Sequence, residues 1–318
     1  MSVLPNNHPL RRSVRSRLYR SATPGAEGEG GRQPTTATFS VRPGVAPLVL
    51  DSPHSGTVYP QDFGSDLPLA VLRQAEDTHV EKLYDFANPE LGAAWVEAHF
   101  PRIYLDANRD TTEIDVEMFE GDWPEPVTED EVVLQKVRLG KGLIWRFTDE
   151  GVPIYGRQLS VAEGQRRIAE CWVPYHAAVA AAIDAAHARH GYSIHINCHS
   201  MPSVAASHAT LHPGLEHADF VIGDRDGSTA SPALSLLICE FLRGRGYDVE
   251  YNYPYKGVEL VRRYGKPSLD RHSIQIEINR RIYMDEGSLA IVQPGFDRLK
   301  NDLRELMGVL LRTDPRGR

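Results

Sequence analysis

Cysteine is scarce in this chain. Cys171, Cys198 and Cys239 are the only three among 318 residues, odd in number, scattered and without a CxxC pair. That spacing excludes a disulfide framework and a cysteine-rich zinc site, and it fits a reducing compartment, the cytoplasm. Long apolar runs are also lacking. None approaches the ~20 residues a bilayer-spanning helix needs, so no membrane partner is expected. Basic charge is not in excess: 35 Lys and Arg stand against 43 Asp and Glu, a net charge of -8. A nucleic-acid partner is therefore not expected, because binding one needs a basic surface. A small anionic ligand stays allowed, since its site needs only local positive charge. No P-loop or GxGxxG follows an apolar run, and no GxSxG elbow occurs.

What is present reads as an ordinary globular protein, 41% hydrophobic and 25% charged. The start differs from the rest. Arg11, Arg12, Arg15, Arg17 and Arg20 precede the first acid, Glu27, and a Gly-, Pro- and Thr-rich stretch follows. The charge pattern is that of a transit peptide, without an apolar signal-peptide core. The plainer expectation is a disordered tail or an overextended start, residues 1–40, followed by one folded domain over 41–313.

Leu48-Val49-Leu50 reads as a buried strand ending in the polar loop Asp51-Ser52-Pro53-His54-Ser55-Gly56. Thr78-His79-Val80-Glu81 has the form of a capping box opening a helix, with Asp77 just before it. Residues 93–98 and Arg102–Leu105 are strand candidates, the second running into Asp106-Ala107-Asn108-Arg109. From 110 to 159 the pattern is weak and broken by Pro and Gly, as in an irregular insertion that is either a functional lid or a surface excursion. Ser160–Glu163 is a second capping box, opening a long helix that Gly191 ends. His176, His187 and His190 belong to this helix and are assigned to its solvated face. Ile194, Ile196 and Cys198 then alternate with His195, Asn197 and His199, a strand by period two that ends in a loop at Ser200. Ser231-Pro232 starts another helix, 248–251 is a further strand, and Ile274, Ile276 and Ile278 alternate with Gln275, Glu277 and Asn279. A last helix covers about 295–311. Strands alternating with helices predict an α/β domain with a mixed, largely parallel sheet flanked by helices. Ligands bind such sheets beyond the carboxyl ends of the strands.

His54, Asp77 and His199 are polar groups at those ends. Two imidazoles and one carboxylate suit a catalytic zinc ion that keeps a fourth position for water. Glu277, on an apolar strand, has two readings of equal weight: an ion pair with Arg280 or Lys256, or a general base and acid. Arg109 suits a substrate carboxylate, against a default of salt bridging with Asp106 or Asp110. Cys198 shares the apolar face of its strand and is assigned to the core, His195 to a structural role. His208, His212 and His217 lie in a loop with nothing to support a metal role.

Several blocks together resemble the N-formylglutamate amidohydrolase family. They are DSPHSG at 51–56, DTHVEKLY at 77–84, DANR at 106–109, CHSMPS at 198–203, GDR at 223–225, NYPYKG at 252–257, and IQIEINR at 274–280 continuing into YMDE at 283–286. The resemblance runs in order from about Leu48 to Leu311. It implies a zinc-carboxypeptidase-like fold, a catalytic domain over 41–313, and hydrolysis of N-formyl-L-glutamate to formate and L-glutamate. It implies one zinc ion, with other divalent metals allowed, on His54, Asp77 and His199, His79 being the alternative second ligand. Glu277 is the implied catalytic carboxylate. Arg109 is the implied holder of a substrate carboxylate, with Asn108, Tyr255 and Lys256 nearby. One departure stands out: Asn197 occupies a position where an Asp is expected. The alternatives are a different N-acyl amino acid, a non-catalytic metal-binding module, or a Ser or Cys hydrolase using Ser200 or Cys198.

Overall fold

The computed structural model describes residues 37–206 and 213–317. The arginine-rich start, His208 and His212 lie outside the described residues. Seven strands form the central sheet: β1 (Phe39–Arg42), β2 (Leu48–Ser52), β3 (Ala94–Ala98), β4 (Ser193–Met201), β5 (Phe220–Gly223), β6 (Val249–Tyr251) and β7 (Arg271–Asn279). Their spatial order is β1-β3-β2-β4-β7-β5-β6. The run β3-β2-β4-β7 is parallel, β1 is antiparallel to β3, and β5 is antiparallel to β7. The sheet is thus mixed and mostly parallel, with helices on both faces, as the zinc-carboxypeptidase-like expectation requires.

The helices that matter are α1 (Glu131–Arg138), α2 (Val161–Arg167), α3 (Val173–His190), α4 (Pro232–Gly244) and α5 (Gly295–Leu311). Period-two alternation on the sheet separates two cores. Leu48, Leu50, Ile194, Ile196, Cys198, Ile274 and Ile276 face α4 and α5. Val49, Val96 and Ala98 face α3, through Tyr175, Val179 and Ile183. The parallel strands are buried on both faces, so polar residues on β4 and β7 must find partners inside the protein.

Several local expectations change. Residues 102–105 form a turn, not a strand, because Pro101 starts a tight reversal in which its carbonyl accepts from Tyr104 and Leu105. The capping box at Thr78 is not made: His79 is left-handed at φ 69° and starts a one-turn helix, Val80–Leu83, without a side-chain cap. The box at Ser160 is made in full, and Gly191 ends α3 in the left-handed conformation. Between α2 and α3 a π turn, Ile168–Trp172, interrupts the long helix. His199 lies within β4, which continues through Met201. His176 is buried rather than solvated, hydrogen-bonded to the Ala107 carbonyl at 2.8 Å. The stretch 110–159 is no surface excursion: Ile114, Met118, Phe119, Leu143, Ile144 and Ile154 are buried in the second core. Its weak periodicity reflects irregular backbone, not exposure. Among the described residues, no helix is long and apolar enough to cross a membrane.

Candidate metal centre

The strand register builds the site. In the parallel β4–β7 pair, Asn197 stands opposite Gln275 and His199 opposite Glu277, while Asp51 of β2 stands opposite Asn197. Opposed residues point to one face of a sheet. His199 and Glu277 are therefore brought to the same face near the carboxyl ends of their strands.

Two loops complete the cluster. The loop after β2 carries His54, and Gly56 lets it run close to the next chain segment. A Cβ at Gly56 would lie 2.3 Å from the Phe100 carbonyl oxygen, so only glycine fits. The loop carrying Asp77 is tied to it by a hydrogen bond from the Asp77 amide to the His54 carbonyl, 3.0 Å. Arg280 secures the same loop, donating to the carbonyls of Gln74 and Glu76 and to Ser200 Oγ, with Asp77 Oδ1 at 3.3 Å.

The result is a buried group, His54, Asp77 and His199, whose ligand atoms all lie within 4.8 Å of one another. Asp77 Oδ2 is 2.9 Å from His199 Nδ1 and 3.4 Å from His54 Nδ1. His54 is turned by Asp106, whose Oδ1 is 2.6 Å from Nε2, and its Nδ1 has no hydrogen-bond partner. A buried nitrogen without a partner, facing a carboxylate and a second imidazole, fits a bound cation. Burial holds His199 below its usual pKa, leaving the imidazole neutral as a ligand must be. Burial also raises Asp77, but the neighbouring His199 and His54 outweigh it and keep the carboxyl well below its usual range. His79 is elsewhere, with Nε2 on the Leu289 carbonyl and Nδ1 near Lys82.

The orientation of His199 follows from the groups behind it. Asn197 Nδ2 donates to Asp51 Oδ1 at 2.9 Å, so Asn197 Oδ1 faces His199 Nε2 at 2.8 Å. Nδ1 is therefore the nitrogen turned toward Asp77. Asp51 also accepts from His195 and from the Tyr175 hydroxyl, and His195 meets Ser273 Oγ on its other side. The structural role expected of His195 is thus its role. The expected carboxylate is not lost at position 197; Asp51 supplies it one residue deeper. Asn197→Asp would set a second carboxylate against Asp51 in a fully buried site. We expect a stability loss on the order of several kcal/mol near neutral pH. The like-charge pair raises its folded-state pKa, so the loss should shrink as pH falls and the pair takes up a proton. Thermal melts from pH 8 to pH 5 test this, and an unchanged Tm throughout would refute it.

Glu277 is the fourth acid at the centre. Neither cation offered as an ion-pair partner meets it: Arg280 serves Asp77, and Lys256 pairs with Asp226 at 2.7 Å, its side chain 56% exposed. Its hydrogen bond comes from Gln275 Nε2, 2.8 Å. Burial, and then the Asp77 charge, push Glu277 well above the usual glutamate range. The ion-pair reading therefore loses its partners, and a carboxyl of this kind suits proton transfer.

Arg109 lies beside the cluster, 3.9 Å from Asp106 and 3.4 Å from Glu113. The π turn before α3 holds its loop, since Trp172 Nε1 donates to the Arg109 carbonyl at 2.9 Å. Asn108 is tied on both sides: its Oδ1 accepts from the Leu260 amide, and its Nδ2 faces Asn197 and His199. Tyr255 meets His217 at 3.4 Å, and burial followed by the Glu277 charge raises its pKa. Sequence reasoning missed Arg102, which donates to Asp106 at 3.0 Å and lies 3.7 Å from Asp77, because the residue sat inside a predicted strand. Cys198 is buried in the core among apolar neighbours, and Ser200 Oγ accepts from Arg280. Among the described residues neither is hydrogen-bonded to a base, as a nucleophile would require.

The chain is similar to several known proteins. A family model described as N-formylglutamate amidohydrolase matches residues 46–284. An N-formylglutamate deformylase of Pseudomonas aeruginosa is 30% identical over 253 residues, 78% of this chain and 86% of the relative. One from Pseudomonas putida is 28% identical over 257 residues, 78% of this chain and 85% of the relative. The crystal structure of N-formylglutamate amidohydrolase from Ralstonia eutropha superposes with TM-score 0.82 at 44% identity, covering 89% of this chain and 100% of that one. A protein of Agrobacterium tumefaciens shares the fold, with TM-score 0.64 at 20% identity over 87% of this chain and 96% of its own. With the matched region enclosing His54, Asp77, His199 and Glu277, the chain belongs to the N-formylglutamate amidohydrolase family.

Proposed function

We propose that this chain is a zinc-dependent amidohydrolase that converts N-formyl-L-glutamate and water to formate and L-glutamate. The observation that carries the reading is the buried His54–Asp77–His199 group, with its unpartnered imidazole nitrogen, beside a carboxyl of raised pKa. A zinc ion held there would polarise the formyl carbonyl and lower the pKa of water to ~7. Zinc is preferred to other divalent ions because two imidazoles and one carboxylate match its usual donor set.

The protein's own groups do the rest. Glu277 takes one proton of the attacking water and returns it to the nitrogen as the C–N bond breaks, and the acid proton of the resulting formic acid then passes to the released amine, so that formate and an ammonium group result. Asp106 and Asn197 keep the two imidazoles turned so that each presents Nδ1. Arg109 holds a substrate carboxylate, while Asn108 keeps Arg109's loop against the cluster. Tyr255 stays a candidate contact near Glu277. Lys256, tied to Asp226, gives up the role assigned from sequence. Cysteines that are free and buried agree with a cytoplasmic setting.

The test is formate release from N-formyl-L-glutamate before chelation, after chelation, and after zinc is restored. Activity that disappears and returns supports the reading. A zinc-loaded protein that releases no formate from this substrate, yet cleaves another N-acyl amino acid, would transfer the same chemistry to that substrate. Inactivity across the panel would favour a non-catalytic module.

A further inference from the structure

His54 is aimed by one carboxylate, and that carboxylate is saturated. Asp106 is fully buried, with four donors around it. Its Oδ1 meets His54 Nε2 at 2.6 Å and the Asn108 amide at 2.9 Å. Its Oδ2 meets Arg102 at 3.0 Å and the indole Nε1 of Trp145 at 3.3 Å. A carboxylate offers about four acceptor positions, so all are used and its direction is fixed. Three of these donors belong to the His54 loop or to residues 102–108. Trp145 comes from the irregular segment 110–159, which the proposed reaction otherwise leaves without a role.

That segment is built to bring the indole in. The Asp106 amide donates to the Leu143 carbonyl, and the Leu143 amide donates to the Glu113 carbonyl, each at 2.7 Å. Gly142 permits this approach, since a Cβ there would lie 2.5 Å from the Glu113 carbonyl oxygen. Lys141 and Trp145 then pair in an antiparallel bridge. The Trp145 ring is 4% exposed, with Lys141 Nζ 3.8 Å and Arg102 Cζ 4.9 Å from its centre. Cations at such distances are attracted by the ring face. Lys141 is held in turn by Asp149 at 2.6 Å. Arg102 reaches on from the ring to Asp106 and, at 3.7 Å, to Asp77. One indole thus backs two of the three candidate ligands, His54 through Asp106 and Asp77 through Arg102. Filling the core would require only a buried ring. Trp95, by contrast, gives its N–H to Glu97 two residues away, and the Trp123 N–H has no hydrogen-bond partner.

We propose that Trp145 is a positioning residue of the metal centre: its N–H fixes Asp106 and its ring steadies Arg102, so that segment 110–159 sets how tightly His54 and Asp77 hold the cation. This rests on the proposed metal-binding reading of the His54–Asp77–His199 group. Supports of a metal-bound imidazole orient the ring and tune its affinity.

The experiment uses the whole chain and measures zinc affinity by competition with a chromophoric chelator, with the Tm of the metal-free protein alongside. Trp145→Phe keeps a ring for Arg102 and removes the N–H. It should weaken zinc binding on the order of tenfold, the lower end of the range for such supports. In an Asp106→Asn background the same change should cost less than about twofold, because the two residues act as one unit. A role confined to core packing would lower Tm and leave zinc affinity alone. If Phe at 145 does not fold, the indole N–H resonances of wild type carry the test. One of them should shift on zinc addition, and the same one should shift in metal-free Asp106→Asn. Unchanged zinc affinity in Trp145→Phe, an undiminished loss in the Asp106→Asn background, or indole resonances that ignore zinc would overturn the proposal and leave the metal centre standing. A wild type that binds no divalent cation would overturn both. Zinc binding that depends on Trp145 in a chain that releases no formate would support the positioning role and reject the proposed reaction.

Discussion

Glu277→Gln is expected to lower kcat by about 10³-fold or more while one zinc ion per chain stays bound. Glu277 lies opposite His199 across the β4–β7 pair. Its raised pKa comes from burial and from Asp77, and neither nearby arginine forms an ion pair with it. Gln keeps the shape and can still meet Gln275, but it can neither accept nor return a proton. General acid–base catalysis contributes about 10²–10⁴-fold, and in the proposed mechanism one carboxyl does both transfers. The His54–Asp77–His199 group is untouched, so metal content measured by elemental analysis should equal wild type. Loss of zinc along with turnover would make Glu277 a ligand instead. Turnover near wild type would remove it from the reaction.

The second large effect is on Asp77. Asp77→Asn should abolish tight zinc binding and formate release, and it should also destabilise the metal-free protein by about 3 kcal/mol. The two losses have different origins. The first removes the anionic member of the ligand set. The second leaves Arg102 and Arg280, at 3.7 and 3.3 Å, without this carboxylate and takes the acceptor from His199. Melts in chelator isolate the second effect, because zinc bound to the native state alone would otherwise add its own stabilisation. The pH dependence has a definite sign. The folded-state pKa of Asp77 is depressed well below 3.8. Its contribution is complete above that value and is lost as pH falls through the folded pKa. The Tm gap between wild type and variant should therefore narrow in strong acid. Full zinc occupancy in Asp77→Asn would break the ligand assignment, and a constant gap down to acid denaturation would break the electrostatic one.

Much of the fold is written in short-range pattern. Alternation along 194–199 and 274–279 marks β4 and β7, and the Ser160 box and Gly191 mark where α2 begins and α3 ends. These signals are local because side-chain direction in a strand has period two and helix ends need specific caps. The polar members of the two strands, His199 and Glu277, could be singled out as chemistry for the same reason. The turn at 102–105 misled because Ile, Tyr and Leu favour strands and only the tertiary setting of Pro101 overrides them. The strand β5 went unread for a related reason, being only four apolar residues long, Phe220–Gly223.

Sequence by itself determined the family blocks and the α/β architecture, and it singled out the residues proposed to hold a metal or move a proton, since each is carried by residue type and local spacing. Tertiary structure alone decided what each polar group faces. It set Asp51 behind Asn197, Arg280 on Asp77 and Arg102 on Asp106. Those partners are dozens to hundreds of residues apart, or hidden by irregular backbone. Charge pairing acts through space at a few ångströms, and the distance along the chain between two such groups has no bearing on it.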